Sequence, residues 1–197
     1  MRDIEHLKKV ASQVRRDIVR QVHACKSGHP GGSLGCADYL TALYFDEMQH
    51  TPQPFDMSGK GQDVFVLSNG HISPVFYSVL ARSGYFDVKE LSTFRNINSR
   101  LQGHPATHEG LPGVRIASGS LGQGLSVASG IALGKKLENE KNFVFALCGD
   151  GERGRAAHQR LQYVGTCQHG MGVCEGGPVR CSAVCAGGEG GKAAHQL

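Results

Sequence analysis

Three glycine-flanked histidines and one aspartate are the residues of this sequence whose types and positions could do chemistry. His29, His71 and His104 each follow a glycine in a loop-like segment. An imidazole titrates near neutral pH, so these side chains can hydrogen-bond hydroxyl groups or move protons. Asp150, in the sequence G-D-G, offers the hard anionic oxygen that Mg²⁺ or Ca²⁺ prefers. Taken singly, each is more often an ordinary loop residue.

A second glycine-rich segment, S-G-S-L-G-Q-G at residues 118–124, opens a predicted helix. Glycines allow backbone N–H groups to approach a phosphate, and a helix N-terminus favours an anion. A cation held by Asp150 could bridge to that phosphate. The residues together predict a phosphorylated cofactor with a hard cation. The alternative for residues 118–124 is a helix cap with close packing.

The elements that would position these loops follow from the hydrophobic pattern. Helices are predicted at 3–24, from residue 37 to about 47, from 74 to about 82 and at 121–137, with a short one after Asp87. Apolar runs at 63–68 and 143–148 predict buried parallel strands. Residues 27–35, 49–62 and 98–120 are predicted loops. This alternation predicts an α/β fold, a mainly parallel sheet flanked by helices, in which ligands bind beyond the strands' carboxyl ends.

The pattern stops after Glu152. Residues 153–197 contain no Asp, Asn, Ile, Phe or Trp, but ten glycines and four cysteines. We predict that this tail is irregular and disordered or non-native, and we hypothesise an out-of-frame origin. Sequencing the coding DNA tests this: without another frame that continues the pattern, the hypothesis fails. The alternatives are a natural disordered tail and a zinc site, although only the last cysteine gap fits zinc spacing.

Length and composition exclude several classes of protein. The 197 residues, 40% of them hydrophobic, suffice for one domain with a core. Most of the net charge of +4 lies in the tail without a basic cluster, so we predict no nucleic-acid partner. No apolar stretch approaches the roughly 18–20 residues that span a bilayer, and no signal peptide is visible. We therefore expect no membrane partner and a cytoplasmic location.

The motifs occur in an order that resembles one known family. They are S-G-H-P-G-G-S-L-G at 27–35, L-S-N-G-H at 67–71, G-Y-F at 84–86, L-Q-G-H-P at 101–105, S-G-S-L-G-Q-G-L-S-V-A at 118–128 and G-D-G-E at 149–152. Residues 1–152 resemble the N-terminal, diphosphate-binding section of transketolases. They look most like the split bacterial type, in which this half is a separate subunit. The resemblance implies an incomplete thiamine-diphosphate-binding fold.

The resemblance also implies a ligand set and a reaction. Thiamine diphosphate with Mg²⁺ (or Ca²⁺) would serve the transfer of two-carbon ketol units between sugar phosphates, a reaction of the pentose phosphate pathway. The implied partner is a C-terminal subunit carrying the pyrimidine-binding domain, in a dimer of such pairs. We predict that this chain alone is inactive. The implied roles are catalytic for His29, His71 and His104, cofactor-binding for His71, Gly119, Leu121 and Gly151, and metal-binding for Asp150.

The sequence departs from the family pattern after Glu152. Arg155 stands where an acidic residue is expected, and no Asn follows Asn142, although the family has a metal-binding Asn about thirty residues past the Asp. The loss of an oxygen ligand would weaken metal binding. These departures favour the alternative of a truncated, non-catalytic remnant. A deoxyxylulose-phosphate synthase fits the histidine loops less well, and an acetolactate-type enzyme has its domains in the opposite order.

Overall fold

The computed structural model describes residues 3–149 and the backbone of three further strands, at 161–167, 170–175 and 180–184. Asp150 and Gly151 lie outside the described residues. Among the helices between residues 3 and 149, none is both long and apolar enough to cross a bilayer.

Four of the five α-helices lie close to the segments that the hydrophobic pattern indicates. In chain order the five are α1 (Ile4–Cys25), α2 (Pro30–Gly35), α3 (Ala37–Ala42), α4 (Ser73–Arg82) and α5 (Gln123–Leu137). A π-helical turn, Leu43–Glu47, continues α3, and 3₁₀ turns occupy Gly70–Ile72, Val88–Thr93 and Thr107–Glu109.

Helix α2 corrects the prediction that residues 27–35 form only a loop. Pro30 occupies its first turn, where the fixed φ of proline is preorganised for a helix and its missing N–H is not needed. Ser33 is fully buried, and its hydroxyl donates to the carbonyl of His29 over 2.9 Å. Tertiary burial therefore supports a helical turn that its glycines disfavour.

The sheet has the order β1-β2-β3-β4-β5. Its strands are β1 (Val64–Leu67), β2 (Val144–Cys148), β3 (Leu161–Cys167), β4 (Gly170–Glu175) and β5 (Arg180–Val184). β1, β2 and β3 are parallel, and β4 and β5 add as antiparallel neighbours. The α/β class with parallel strands is confirmed. Within the tail, the structure describes strand backbone in these three segments.

The first two strands are buried on both faces, as parallel strands flanked by helices require. Phe65 and Leu67 of β1 pack into the core that α1, α3 and α4 cover. Val64 and Val66 point to the other face, where they pack with Ala128 of α5. This alternation follows from the two-residue period of a strand. The first two strands thus form the middle layer of three.

Two buried carboxylates tie this framework together. Asp17 of α1 accepts hydrogen bonds from Arg82 at the end of α4, over 2.5 Å and 3.1 Å. Asp63, just before β1, accepts from the backbone N–H groups of Gln49 and Phe143, over 2.8 Å and 2.7 Å. The second set of bonds holds the starts of β1 and β2 side by side, which also aligns their carboxyl ends.

Candidate functional site

The candidate site lies where β1 ends and α5 begins, and two glycines allow its loops to meet. A Cβ atom on Gly70 would lie 2.2 Å from the carbonyl oxygen of Ser118. A Cβ atom on Gly124, in the first turn of α5, would lie 2.5 Å from the Cα atom of Ser68. Real Cβ atoms do not approach so closely, so glycine is required at both positions. The predicted 118–124 loop therefore packs directly on the loop after β1.

Two of the predicted histidines face each other across this site. The ring centroids of His29 and His71 are 5.1 Å apart, with the rings at 77°. His29 immediately precedes α2, and His71 lies in the 3₁₀ turn after β1. Gly32 permits the approach of these two segments, because a Cβ atom there would lie 2.8 Å from the side chain of Ile72. The backbone after His29 thus packs directly on the side chain of Ile72, the residue after His71.

The third histidine is carried by a turn that α4 anchors. The Ser73 hydroxyl donates to the carbonyl of Gly103 over 2.7 Å, and the Tyr77 hydroxyl donates to the carbonyl of Gln102 over 2.8 Å. His104 follows these anchored carbonyls and is itself exposed. The backbone N–H of Ser118 donates to the carbonyl of Pro105 over 3.2 Å. This turn is therefore fixed both to α4 and to the 118–124 loop.

The pKa of His104 is lowered from its ordinary value. The partial loss of water around its ring is the largest cause, followed by the positive charge of Arg95 and by His29. An influence of His29 on His104 requires that the two imidazoles lie near each other. His29 and His71 are in ring contact, and the turn of His104 joins the same site because Pro105 and Gly70 both contact Ser118. The lowered pKa favours a neutral His104 ring, which keeps one nitrogen as a hydrogen-bond acceptor.

The predicted cofactor-binding residues Gly119 and Leu121 lie at the open end of α5. Both are exposed, and 61% of Leu121 is accessible. The helix begins after Gly122, whose φ of 89° is in the left-handed region, and no side chain caps it. An uncapped helix N-terminus presents backbone N–H groups and a partial positive charge. This end of α5 can therefore accept an anionic group.

Two buried oxygen atoms beside His71 and the 118–124 loop lack hydrogen-bond partners among the described residues. They are Oδ1 of Asn69 and Oγ of Ser118. A buried polar atom without a partner is costly, so such atoms mark places that a polar group completes. A hydroxyl can donate, and an amide can turn its NH₂ toward an anion. Together with the glycine contacts, these atoms fit a phosphate-bearing cofactor.

The predicted metal ligand cannot be placed in this geometry, since Asp150 lies outside the described residues. The same holds for the cofactor-binding prediction at Gly151. In the part of the chain that the structure describes, no three His, Cys, Asp or Glu side chains form a cluster that could hold a metal ion. Both assignments stay predictions.

Sequence reasoning missed three residues that support the histidines. Ser73 and Tyr77 are buried residues of α4 that hold the turn before His104. Arg95 lies close enough to His104 to affect its pKa. No local signal marks any of them, because a hydroxyl on a helix and an arginine in a loop are common surface features. Their contacts join residues that are distant in sequence.

Comparison with known proteins decides the family. Residues 6–162 match the family described as the transketolase, thiamine diphosphate binding domain. This chain belongs to that family. The N-terminal section that the motifs indicated is therefore confirmed, and the match runs to residue 162, beyond the last motif at 149–152.

Individual relatives agree with this assignment. The chain is 36% identical over 155 residues to an apulose-4-phosphate transketolase subunit from Actinobacillus succinogenes, covering 78% of this chain and 55% of that subunit. It is 37% identical over 150 residues to human transketolase, covering 76% of this chain and 23% of that enzyme. A crystal structure of transketolase from Campylobacter jejuni matches with a TM-score of 0.69 and 34% identity, over 79% of this chain and 25% of that one.

The transketolase relatives are longer than this chain. It spans about half the length of the Actinobacillus subunit and about a quarter of the human and Campylobacter enzymes. The residues that match the thiamine diphosphate binding domain, 6–162, include all the loops described above.

Proposed function

We propose that the loop cluster binds the diphosphate end of thiamine diphosphate together with Mg²⁺ or Ca²⁺, as one half of a transketolase active site. The proposed reaction transfers two-carbon ketol units between sugar phosphates. When bound, thiamine diphosphate supplies the carbanion and the electron sink that such a transfer needs. The protein then has to bind, orient and shield the reacting groups.

The observation that carries this proposal is the meeting of four loops around one point. The His29 loop, the loop after β1, the turn of His104 and the start of α5 are linked by glycine contacts and backbone hydrogen bonds. A structural role for one loop would not require the others to converge. An anion-accepting helix end beside three imidazoles is the arrangement expected for a phosphate-bearing ligand with a polyhydroxylated substrate.

Each predicted site residue has a role in this proposal. The backbone at Gly119 and Leu121 would border the cofactor, and His71 would bind the diphosphate. Outside the described residues, Gly151 would pack on the diphosphate, and Asp150 would hold the divalent cation that neutralises part of its charge.

The exposed imidazoles of His29 and His104 hydrogen-bond the sugar hydroxyls and can move protons there. The neutral ring favoured at His104 suits it to accept a hydrogen bond from the donor ketose.

The proposed enzyme is completed by a second chain. Two relatives are each named as one subunit of an apulose-4-phosphate transketolase, which supports a split arrangement. The proposed partner is a C-terminal subunit that carries the pyrimidine-binding domain, and two such pairs form the active dimer. The chain alone is then inactive, because the groups that act on the aminopyrimidine ring belong to the partner. A cytoplasmic location suits the phosphorylated sugars of the pentose phosphate pathway.

One sequence observation favours the alternative of a non-catalytic remnant. No Asn follows Asn142, and Arg155 stands where the family has an acidic residue. A metal site with fewer oxygen ligands and a nearby cation binds more weakly. In this alternative the histidine loops are retained, but the affinity for thiamine diphosphate and the metal ion is too low for catalysis.

Reconstitution separates these functions. The purified chain would be mixed with the C-terminal subunit of a split transketolase, and ketol transfer would be measured with thiamine diphosphate and Mg²⁺. We expect activity only in the mixture, and its loss when the chain carries His29→Ala. Activity of the chain alone would contradict the two-chain proposal. A mixture that remains inactive while both chains are folded would favour the remnant.

A further inference from the structure

Arg95 lies between two of the loops that carry the site histidines. Its guanidinium carbon is 5.5 Å from the ring centre of Phe94. Its backbone φ of 59° is in the left-handed region, which residues other than glycine rarely adopt. Its backbone N–H donates to the carbonyl of Leu101 over 2.8 Å. These contacts fix Arg95 at the base of the turn that carries His104.

The guanidinium of Arg95 contacts both loops at once. Its Nη1 donates to the hydroxyl of Ser27 over 2.9 Å, two residues before His29. On the other side it lies against Gly103, where a Cβ atom would be only 2.8 Å from Cζ and Nη2. Any side chain at that position would displace the guanidinium. A single planar group therefore joins the segment before His29 to the residue before His104.

The charge of Arg95 also acts on the site. It is the largest electrostatic contribution, after partial burial, to the lowered pKa of His104. His29 contributes in the same direction. The guanidinium therefore has an electrostatic effect on His104 as well as its two contacts.

The two loops need such a connection because their glycines leave the backbone more freedom to move. Gly28 has a φ of 133°, in a region that favours glycine, and Gly103 has no side chain to pack. The hydrogen bonds from Ser73 and Tyr77 tie the His104 turn to α4 but do not involve the His29 loop. The hydrogen bond to Ser27 supplies that missing link.

We propose that Arg95 is a positioning residue, whose guanidinium joins the Ser27–His29 loop to the Gly103–His104 turn and fixes the separation of their imidazoles. Lysine cannot replace it, because an ammonium group has neither the plane that stacks on Gly103 nor the fork that reaches Ser27. The bridge is a property of the chain itself. Only the identity of the ligand that the imidazoles contact rests on the proposed function.

The test uses the full chain and two readouts. Histidine ring protons are titrated by NMR, with His104 assigned by the signal lost in His104→Gln, and thiamine diphosphate binding with Mg²⁺ is measured by calorimetry. Arg95→Met should raise the pKa of His104 and weaken binding roughly tenfold, the equivalent of one charged hydrogen bond. Arg95→Lys should retain most of the effect on the pKa but not the affinity.

Gly103→Ala tests the position of the Arg95 guanidinium without removing its charge from the chain. It leaves Arg95 in the sequence but displaces the guanidinium, so the pKa of His104 should rise and binding should weaken. Arg16→Met is the matched control, since Arg16 is exposed on α1, and it should change neither quantity.

Unchanged pKa values of His104 in folded Arg95→Met and Gly103→Ala chains would overturn the proposal. Full affinity of Arg95→Lys for thiamine diphosphate would also overturn it, because a positive charge without the guanidinium plane would then be enough for binding. If the unmodified chain binds no thiamine diphosphate, the proposed function fails. The NMR comparison then still decides whether the bridge exists.

Discussion

At the scale of single residues, charged side chains in this chain differ mainly in how far water reaches them. Asp17 is 4% exposed and bound by Arg82, whereas Arg15 and Asp38 form their ion pair at the surface. A buried carboxylate that loses its partner keeps the cost of its lost hydration, while an exposed one is resolvated. The same geometry therefore has different energetic weight at the two sites.

This difference predicts unequal effects of two arginine substitutions. Arg82→Met should lower the free energy of unfolding by about 3 kcal/mol, because the carboxylate of Asp17 then keeps the weaker contact with Arg20 at 3.5 Å as its remaining ion pair among the described residues. Arg15→Met should cost less than about 1 kcal/mol. Urea unfolding of both variants measures this, and equal losses would show that the Asp17 pair is no more important than a surface pair.

The titration of His104 links site and stability. Its folded pKa lies below the unfolded value of about 6.5, so the unfolded chain binds a proton more readily. This residue therefore opposes folding increasingly as the pH falls below about 6.5, and has no effect well above it. We expect His104→Gln to reduce the loss of stability between pH 7 and pH 5, as followed by thermal unfolding at each pH. If His104→Gln loses as much stability between pH 7 and pH 5 as the unmodified chain, the lowered pKa of His104 is contradicted.

At the scale of elements, α5 is placed by a glycine that touches the sheet. Gly124 lies against Ser68 at the end of β1, whereas a Cβ atom on Gly130, further along the same helix, would meet nothing within 4 Å. The start of α5 can therefore approach β1 only without a side chain at 124. The position of the anion-accepting helix end depends on this contact.

Two alanine substitutions in α5 should thus act in opposite directions. Gly124→Ala should destabilise the fold by about 1–3 kcal/mol through overpacking and should displace the helix start from the site. Gly130→Ala should stabilise it by up to about 1 kcal/mol, since alanine is the better helix former. Thermal unfolding of the two variants provides the comparison. Equal tolerance of both would mean that the close approach of α5 to β1 is not needed.

The positions of most helices and strands could be predicted because the hydrophobic pattern of the sequence agrees with the packing of the fold. The apolar runs of β1 and β2 end in glycine-containing loops, and both strands were predicted within one residue. Helix α5 starts two residues later than predicted, because Gly122 takes a left-handed conformation. Helix α2 was missed, since its three glycines have low helix propensity and the burial of Ser33 cannot be foreseen locally.

The histidine loops of the site could be predicted from their glycine flanks, but their supports could not. The bond from Arg95 to Ser27 joins residues 68 positions apart, and the anchors of the His104 turn come from a helix face. No spacing rule connects such residues. The unpartnered oxygens of Asn69 and Ser118 likewise become visible only once the loops meet.

At the scale of the whole molecule, the chain is a family member that covers part of its relatives' length. The family match covers residues 6–162, and the first 149 residues supply every histidine of the proposed site. We propose that the Gly/Cys-rich segment at 153–197, of which the family match covers only the first ten residues, is not the family's own continuation, and that metal binding through Asp150 is weakened for that reason. The proposed function therefore depends first on whether the present chain binds thiamine diphosphate.

Calorimetric titration of thiamine diphosphate with Mg²⁺ into the full, folded chain shows whether these loops form a diphosphate site. We expect saturable binding that persists in Gly130→Ala and is lost in Gly124→Ala. We also expect a higher unfolding temperature, since a ligand at one hundred times its Kd stabilises the native state by about 2.7 kcal/mol. No binding heat and no thermal shift in the folded, unmodified chain would contradict the claim that these loops form a diphosphate site.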